Sequence, residues 1–203
     1  MRTNCVAILD IRSAEMTAVV GERGVNGTFI IKSKYTCAYD GFAEGELLDV
    51  ENFISSVCDV VKNTLSGGSG VKSFYVGVPG EFLKLINVDK VLSFQSAKKI
   101  SASDCRTLIE LSTPTDSEQW KTIRHSCLYY VLSDKRKVID PVGTVSDSLQ
   151  GKCCFYQCNT AFIDCLMTAF KRFKEITAVN FIPINCAEAM YLVEPELRDE
   201  CAV

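Results

Sequence analysis

Four cysteines near the end of the chain have the side-chain type that binds metal ions or acts as a nucleophile. They follow the pattern C-C-x3-C-x6-C, at Cys153, Cys154, Cys158 and Cys165. Structural zinc sites favour cysteine pairs separated by roughly two to four residues, with all ligands converging. Consecutive strand residues point to opposite faces, so Cys153 and Cys154 are poorly placed to share an ion. We therefore predict no metal site here and expect packed thiols.

The single histidine, His125, is the natural candidate for a general base. Cys127 lies two residues further on, and an extended strand would place both side chains on one face. No further residue nearby in sequence completes a nucleophile, base and orienting group. We therefore expect a surface or packed histidine and predict no catalytic residue.

Three aromatic residues, Trp120, Tyr129 and Tyr130, are the candidates for contact with another protein. Exposed aromatic side chains anchor many protein interfaces. Adjacent strand residues face opposite sides, so one tyrosine is expected in the core and the other outward. This group is the predicted interaction site.

Composition excludes several classes of function. The chain has 203 residues with 22 basic and 25 acidic side chains, and no basic stripe suggests nucleic acid as a partner. No run approaches the ~20 apolar residues of a membrane helix, and the first ten residues are too short and too acidic at their end for a signal peptide. Eleven cysteines, an odd number, argue against a disulfide framework. We expect a cytoplasmic protein with reduced thiols.

Apolar spacing predicts a mixed α/β chain. The predicted strands are Asn4–Asp10, Met16–Glu22, Thr28–Tyr35, Ser73–Val78, Phe82–Phe94, Gln119–Leu132, Lys152–Asn159 and Ala178–Ile182, with a short element at Lys135–Asp140. The predicted helices are Val50–Leu65 with Asp49 as cap, Ser103–Leu111 with Ser101 and Asp104 as cap residues, Ala161–Lys174 with Thr160 as cap, and Asn185–Leu192. Turn or loop residues are predicted at 24–27, 41–49 and 66–70.

Five segments resemble the bacterial cell-division protein family FtsA. LDIRSAEMTAVVGE resembles that family's opening strand and turn, and FAEGELLDVENFISSV its run into the first helix. SFYVGVPGEF is similar to the family's "hYVGhsG" strand, IDPVGTVSDSL to its "DPhGhpGhpL" turn, and NFIPINCAEAM to its "hhEPhA-A" segment. The segments occur in the family's order, across nearly all of this chain.

The resemblance implies an actin-like, ribonuclease H-like half-lobe with an inserted strand-helix-strand-strand subdomain of the SHS2 type. The half-lobe would comprise residues 1–80 and 160–203, and the insertion residues 81–159. Implied partners are divisome proteins or FtsA-like subunits, including self-association, with recruitment to the inner face of the membrane by partners. The acidic EPELRDE tail differs from the basic amphipathic helix that attaches the family to membranes.

The resemblance also implies roles for Asp10 and Ser13 in binding the metal and phosphate of a nucleotide. The family has a glycine where this chain has Arg12, whose bulk occupies a turn that must stay small for phosphate to approach. The alternative is a plain hairpin turn with Asp10 bonding backbone amides. The family's second phosphate hairpin, of the type DIGGGT, has no counterpart in this sequence. We expect no cofactor, with ATP and magnesium binding only if a second lobe were supplied.

These features predict a truncated FtsA-like protein that acts through assembly in the divisome and is not an enzyme. Two alternatives stay open. One is a nucleotide-binding ATPase of the actin-like superfamily, and the other is a pilus-assembly or other actin-like scaffold with the same insertion.

Overall fold

The protein divides into two compact units. The computed structural model describes residues 5–24, 28–66 and 70–194. Unit 1 contains the described residues up to Leu83 and those from Cys158 onward, and unit 2 is Lys84–Gln157. Parts of the predicted turns at 24–27 and 66–70, and the acidic tail after Glu194, lie outside the described residues.

Unit 1 is built on a five-stranded sheet with the spatial order β11-β6-β1-β2-β3. Its strands are β1 (Cys5–Ile11), β2 (Glu15–Arg23), β3 (Phe29–Ala38), β6 (Ser73–Val78) and β11 (Ala178–Pro183). β1, β2 and β3 form an antiparallel meander, whereas β6 runs parallel to both β1 and β11. A small hairpin of β4 (Phe42–Ala43) and β5 (Glu46–Leu47) occupies the segment predicted as a loop.

Three helices accompany this sheet: α1 (Val50–Leu65), α3 (Thr160–Phe170) and α4 (Ile184–Leu192). The side chain of Asp49 caps α1 by accepting a 2.8 Å hydrogen bond from the amide of Asn52. The predicted cap of α3, Thr160, is wrong. Asn159 caps this helix instead, because its side-chain oxygen accepts bonds from the amides of Ala161 and Phe162.

The core of unit 1 lies between the sheet and helices α1 and α3. Strand alternation turns one face of each central strand inward, and α1 packs against β2, β3 and α3. Phe162 links these layers, with its ring centroid 5.6 Å from Phe53 and 4.1 Å from Phe82, which lies in a single 3-10 turn at Gly80–Phe82. The fully buried strand and helix residues include Leu9, Ile11, Met16, Val57, Phe74, Val76 and Leu166.

Unit 2 is a four-stranded sheet with one helix. The sheet has the order β7-β10-β8-β9, and its strands are β7 (Leu83–Lys99), β8 (Trp120–Leu132), β9 (Lys137–Val138) and β10 (Val145–Asn159). Helix α2 (Ala102–Ser112) follows β7, so the chain order is strand, helix, strand, short strand, strand. A core cluster of Ile100, Leu108, Tyr130, Leu132 and Leu149 holds the helix to the sheet.

Two strands of unit 2 are longer than predicted. β7 continues past Phe94 to Lys99, and β10 begins at Val145 instead of Lys152. The early part of β10 contains Asp147 and Gly151, whose residue types are depleted in strands. It is nevertheless a strand because β10 is paired on both sides, with β7 and β8. At Gly151 a Cβ atom would lie 2.6 Å from a methyl group of Leu108, so a larger residue there would require that side chain to move.

Within the described ranges, the longest helices are too short or too polar to cross a membrane.

Helix α2 begins with a capping box. Ser101 Oγ accepts a bond from the amide of Asp104, and the Asp104 carboxylate accepts from the amide of Ser101. Lys98 adds a 2.8 Å ion pair to the same carboxylate. The hydrogen bonds from Lys98 and then from Ser101 lower the pKa of Asp104 to about 2.

Replacing this carboxylate should therefore weaken unit 2 in a pH-dependent way. The pKa of Asp104 is lower in the folded chain than its usual 3.8, so its stabilisation is present above that value and disappears as pH falls toward 2. At about pH 7, Asp104→Asn should have a lower urea midpoint of unfolding than the wild type, measured by Trp120 fluorescence. Near pH 2 the two midpoints should become equal. Asp147→Asn, at an exposed position of the same unit, is the control. Equal midpoints for wild type and Asp104→Asn at neutral pH would contradict the assignment.

Candidate functional site

The candidate site lies where three parallel strands of unit 1 end. Asp10 of β1 pairs with Gly77 of β6, and Gly77 pairs with Ile182 of β11. In open α/β sheets, ligands bind in the crevice beyond the carboxyl ends of such strands. The turn after β1, residues 12–14, and the first turn of α4 therefore border this edge.

Asp10 has two oxygens in different environments. Oδ2 accepts a 3.1 Å hydrogen bond from Nε of Arg12. Oδ1 is buried and has no hydrogen-bond partner in the described part of the chain. Gly77 lies beside it, since a Cβ atom on that glycine would be 3.9 Å from Oδ1. One oxygen is thus held by a cation of the chain itself, and the other is closed to solvent.

Arg12 extends over the turn and reaches two carboxylates. Besides Asp10, its Nη1 atom lies 3.8 Å from Oε1 of Glu15, and two-thirds of its side chain is exposed. Exposed ion pairs of this kind contribute at most about 1 kcal/mol each. Their effect here is positional, because they hold the guanidinium group in front of the end of β1.

The turn between β1 and β2 is fixed by the segment that follows β3. Tyr39 donates a 2.6 Å hydrogen bond from its hydroxyl to the carbonyl of Arg12, and its amide donates to the carbonyl of Ala14. The amide of Phe42 donates to the carbonyl of Ser13. Gly41 has φ +92°, and a Cβ atom there would lie 2.1 Å from the Ser13 carbonyl oxygen, so only glycine fits. Burial raises the pKa of Tyr39, which stays a neutral donor.

Two residues at this edge were missed by the sequence prediction. Gly80 follows β6, and a Cβ atom there would lie 3.2 Å from Nδ2 of Asn185 in the first turn of α4. Glu81 accepts a bond from the amide of Gly45, which ties the β4–β5 hairpin to the same edge. Both residues lie in the turn after β6, which contains proline and glycine. That turn composition was the sequence signal that could have identified them.

The residues at this edge do not fit a hydrated divalent cation with bound phosphate. Such an ion needs accessible carboxylate oxygens, but Arg12 occupies Oδ2 of Asp10 and Oδ1 is closed to solvent. The guanidinium group would also repel a second cation at this distance. Ser13 is exposed beside Arg12 and its carbonyl oxygen is already used by Phe42. The residues after β1 therefore form a hairpin turn whose backbone carbonyl groups are paired within the chain itself.

The three predicted contact residues of unit 2 have different environments. Tyr130 is buried in the core cluster, so it offers no surface for a partner. Trp120 is half-buried, with Lys84 Nζ 5.8 Å from its ring centroid. Tyr129 is also half-buried, under Lys137 Nζ at 4.8 Å.

In the described part of the chain, His125 and Cys127 contact different side chains. His125 lies against the ring of Phe155 with a centroid distance of 6.1 Å. The Sγ atom of Cys127 lies 3.7 Å from that of Cys153, and burial raises the pKa of Cys127 to about 12. At that pKa the thiol stays protonated at neutral pH and is a poor nucleophile. Among the described residues, no three histidine, cysteine, aspartate or glutamate side chains converge as a metal site.

Comparisons with known proteins connect this architecture to two groups. No family model matches the chain. It is 20% identical over 149 residues to the cell division protein FtsA of Pseudomonas aeruginosa, a match that covers 71% of this chain and 35% of that protein. It superposes on a chain of the PilM-PilN type IV pilus biogenesis complex with a TM-score of 0.56 and 11% identity, covering 95% of this chain and 51% of that one. The cytoplasmic domain of EpsL from the type II secretion system of Vibrio cholerae superposes with a TM-score of only 0.39.

The fold is therefore α/β of the actin-like class, a half-lobe with an inserted strand-helix-strand-strand unit. The chain is similar to FtsA in sequence and to PilM in structure, and it spans about a third of the first and half of the second.

The hydrogen bond from Tyr39 to the turn gives a test of this geometry. Tyr39→Phe should lower the free energy of unfolding by about 1 kcal/mol, because the Arg12 carbonyl loses its partner in a largely buried position. Tyr35→Phe removes a hydroxyl from an exposed residue of the neighbouring strand and should have little effect. Chemical unfolding followed by far-UV circular dichroism measures both. A Tyr39→Phe protein as stable as wild type would show that the turn is held in another way.

Proposed function

We propose that this chain is an FtsA-like assembly module that acts in cell division through protein–protein contacts and not by catalysis. Its actin-like half-lobe and its sequence match to FtsA support the division role. The proposal that the chain is not a catalyst rests on the Asp10–Arg12 pair. This pair places a cation where a metal-bound phosphate would have to approach. Proposed partners are FtsA-like subunits or other divisome proteins.

The inserted unit is the proposed assembly surface. β7 is a terminal strand in its sheet, and such strands present unpaired backbone groups that template pairing with another chain. Leu85 and Val91 on β7 are each about half exposed, and Leu128 of β8 is similarly exposed. Trp120 and Tyr129 are half-buried on β8 and supply aromatic area near lysines. Apolar groups beside a free strand edge favour contact with a protein over contact with a small molecule.

In the proposed mechanism, the module joins a polymer of FtsA-like subunits through this surface. A module bound to a polymer end through this surface would occupy the position of the next subunit and prevent further growth there. The module would work in the cytoplasm and reach the inner face of the membrane through its partners.

A pilus-assembly scaffold is the second candidate. The superposition on the PilM-PilN complex over 95% of this chain favours it, because that match covers more of the chain than the FtsA match does. The sequence match to FtsA favours division. Both candidates assign the chain to protein assembly and differ in the partner.

Co-sedimentation with full-length Pseudomonas aeruginosa FtsA tests the division role. We expect the chain to pellet with FtsA polymers and to shorten them. Leu85→Asp with Val91→Asp should reduce the bound fraction about tenfold, because charges would then be buried against the partner. Leu48→Asp, at an exposed residue of unit 1, is the matched control. A chain that neither pellets nor alters the polymers contradicts this role, and specific binding to PilN instead would establish the second candidate.

Titration with labelled ATP and magnesium tests the proposal that the chain does not act as an ATPase. We expect no binding at micromolar concentration, because Arg12 repels the metal and fills the approach to Asp10. The Arg12→Gly variant, which removes the guanidinium group, is measured in parallel. Micromolar binding by the wild-type chain would revive the actin-like ATPase alternative.

A further inference from the structure

A cleft of about 210 Å³ lies in unit 1 at the end of the sheet opposite Asp10. It is formed by the C-terminal turn of α3, the connection that follows and the start of β11. Its apolar lining comprises Met167, Phe170, Phe173, Ile176 and Val179. The apolar spacing predicts a helix that continues to Lys174, but α3 ends at Phe170, because tight hydrogen bonds from Arg172 to Ala169 and from Phe173 to Phe170 turn the chain away. That turn creates the cleft.

Two lysines rim this cleft without a partner of opposite charge. Lys171 and Lys174 are exposed and line it, and within the described residues neither forms an ion pair. The neighbouring segment adds Arg172 and one acid, Glu175, so positive charge exceeds negative charge here. An apolar pocket beside unpaired ammonium groups is complementary to an apolar side chain flanked by carboxylates.

The cleft also opens beside a free strand edge. β11 is a terminal strand in the sheet, and the amide of Ala178 donates to the carbonyl of Lys72 next to β6. In a parallel pair, alternate residues direct both backbone groups to the neighbour. Val179 and Phe181 therefore direct their amide and carbonyl groups away from β6, toward the open side. An extended polypeptide can pair with such a row of donors and acceptors by adding as a further strand.

We propose that the cleft and the β11 edge form a docking site for an extended, acidic segment of a protein partner. The segment adds as a strand beside β11, places one bulky apolar side chain in the cleft and sets its carboxylates against Lys171 and Lys174. This inference rests on the proposed function in that both assign the chain to protein assembly. It uses a different surface from the β7 edge, so the two are tested separately.

Selection from a display library of random ten-residue peptides tests the site while the partner is still unidentified. The wild-type chain should enrich peptides in which a large apolar residue is flanked by aspartate or glutamate. Those peptides should bind the Lys171→Glu/Lys174→Glu protein at least tenfold more weakly, since tenfold corresponds to about 1.4 kcal/mol of lost attraction. Lys90→Glu/Lys121→Glu, which reverses two exposed lysines of unit 2, should bind like wild type.

A second pair of variants tests strand addition. Val179→Pro removes the outward amide without touching the bonds to β6, and proline is tolerated at such an edge position. Val179→Ala removes more of the side chain from the cleft than Val179→Pro does but keeps the amide, so it is a stringent control for loss of the side chain. We expect the selected peptides to bind Val179→Pro at least tenfold more weakly than Val179→Ala. Circular dichroism shows that each variant is folded.

Three results would overturn the inference: no acidic, apolar enrichment on the wild type; equal peptide binding by the lysine-reversed protein; or equal binding by Val179→Pro and Val179→Ala. Binding to phosphatidylglycerol vesicles that is lost in the lysine-reversed protein, with no enriched peptide, would also overturn it in favour of a lipid surface. Retained co-sedimentation with FtsA in any of these cases leaves the proposed function standing.

Discussion

Parallel pairing of β6 with both β1 and β11 is the constraint on which the rest of unit 1 depends. The described residues of unit 1 come from two chain segments separated by the whole of unit 2, and β6 is the strand that joins them in one sheet. Its inward residues, Phe74, Val76 and Val78, are fully buried, so the apolar face of the strand also anchors the helices. The same pairing brings the ends of three strands to one edge and their beginnings to the other.

Both candidate sites follow from that alignment. At the carboxyl ends, Asp10 meets Gly77, and an arginine of the chain itself neutralises the carboxylate. At the amino ends, α3 stops short of β11 and leaves an apolar cleft with unpaired lysines. The carboxyl-end edge is thus occupied by a contact within the chain itself. The opposite edge keeps charge and backbone groups that lack partners among the described residues.

The cysteines are numerous but pack mainly as small apolar side chains. The chain has eleven cysteines in 203 residues, and their spacing predicts no metal site. In the described chain, Cys153, Cys154 and Cys158 are buried, and burial raises the pKa of Cys158 to about 12, as it does for Cys127. A thiol in an apolar environment is a small hydrophobic side chain and not a ready nucleophile.

Local physics allowed the sequence alone to determine several elements. Helix α1 spans the predicted Val50–Leu65 because its apolar period and the Asp49 cap are both local signals, and the Ser101–Asp104 capping box was equally readable. Asn159 and Thr160 are both of favoured cap types, so the local signal did not choose between them. Only the tertiary structure decided that β10 begins at Val145 and that Arg12 holds Asp10. The physical reason is that these features depend on partners. A polar segment becomes a strand when strands flank it on both sides, and a carboxylate takes the cation that the turn brings within reach.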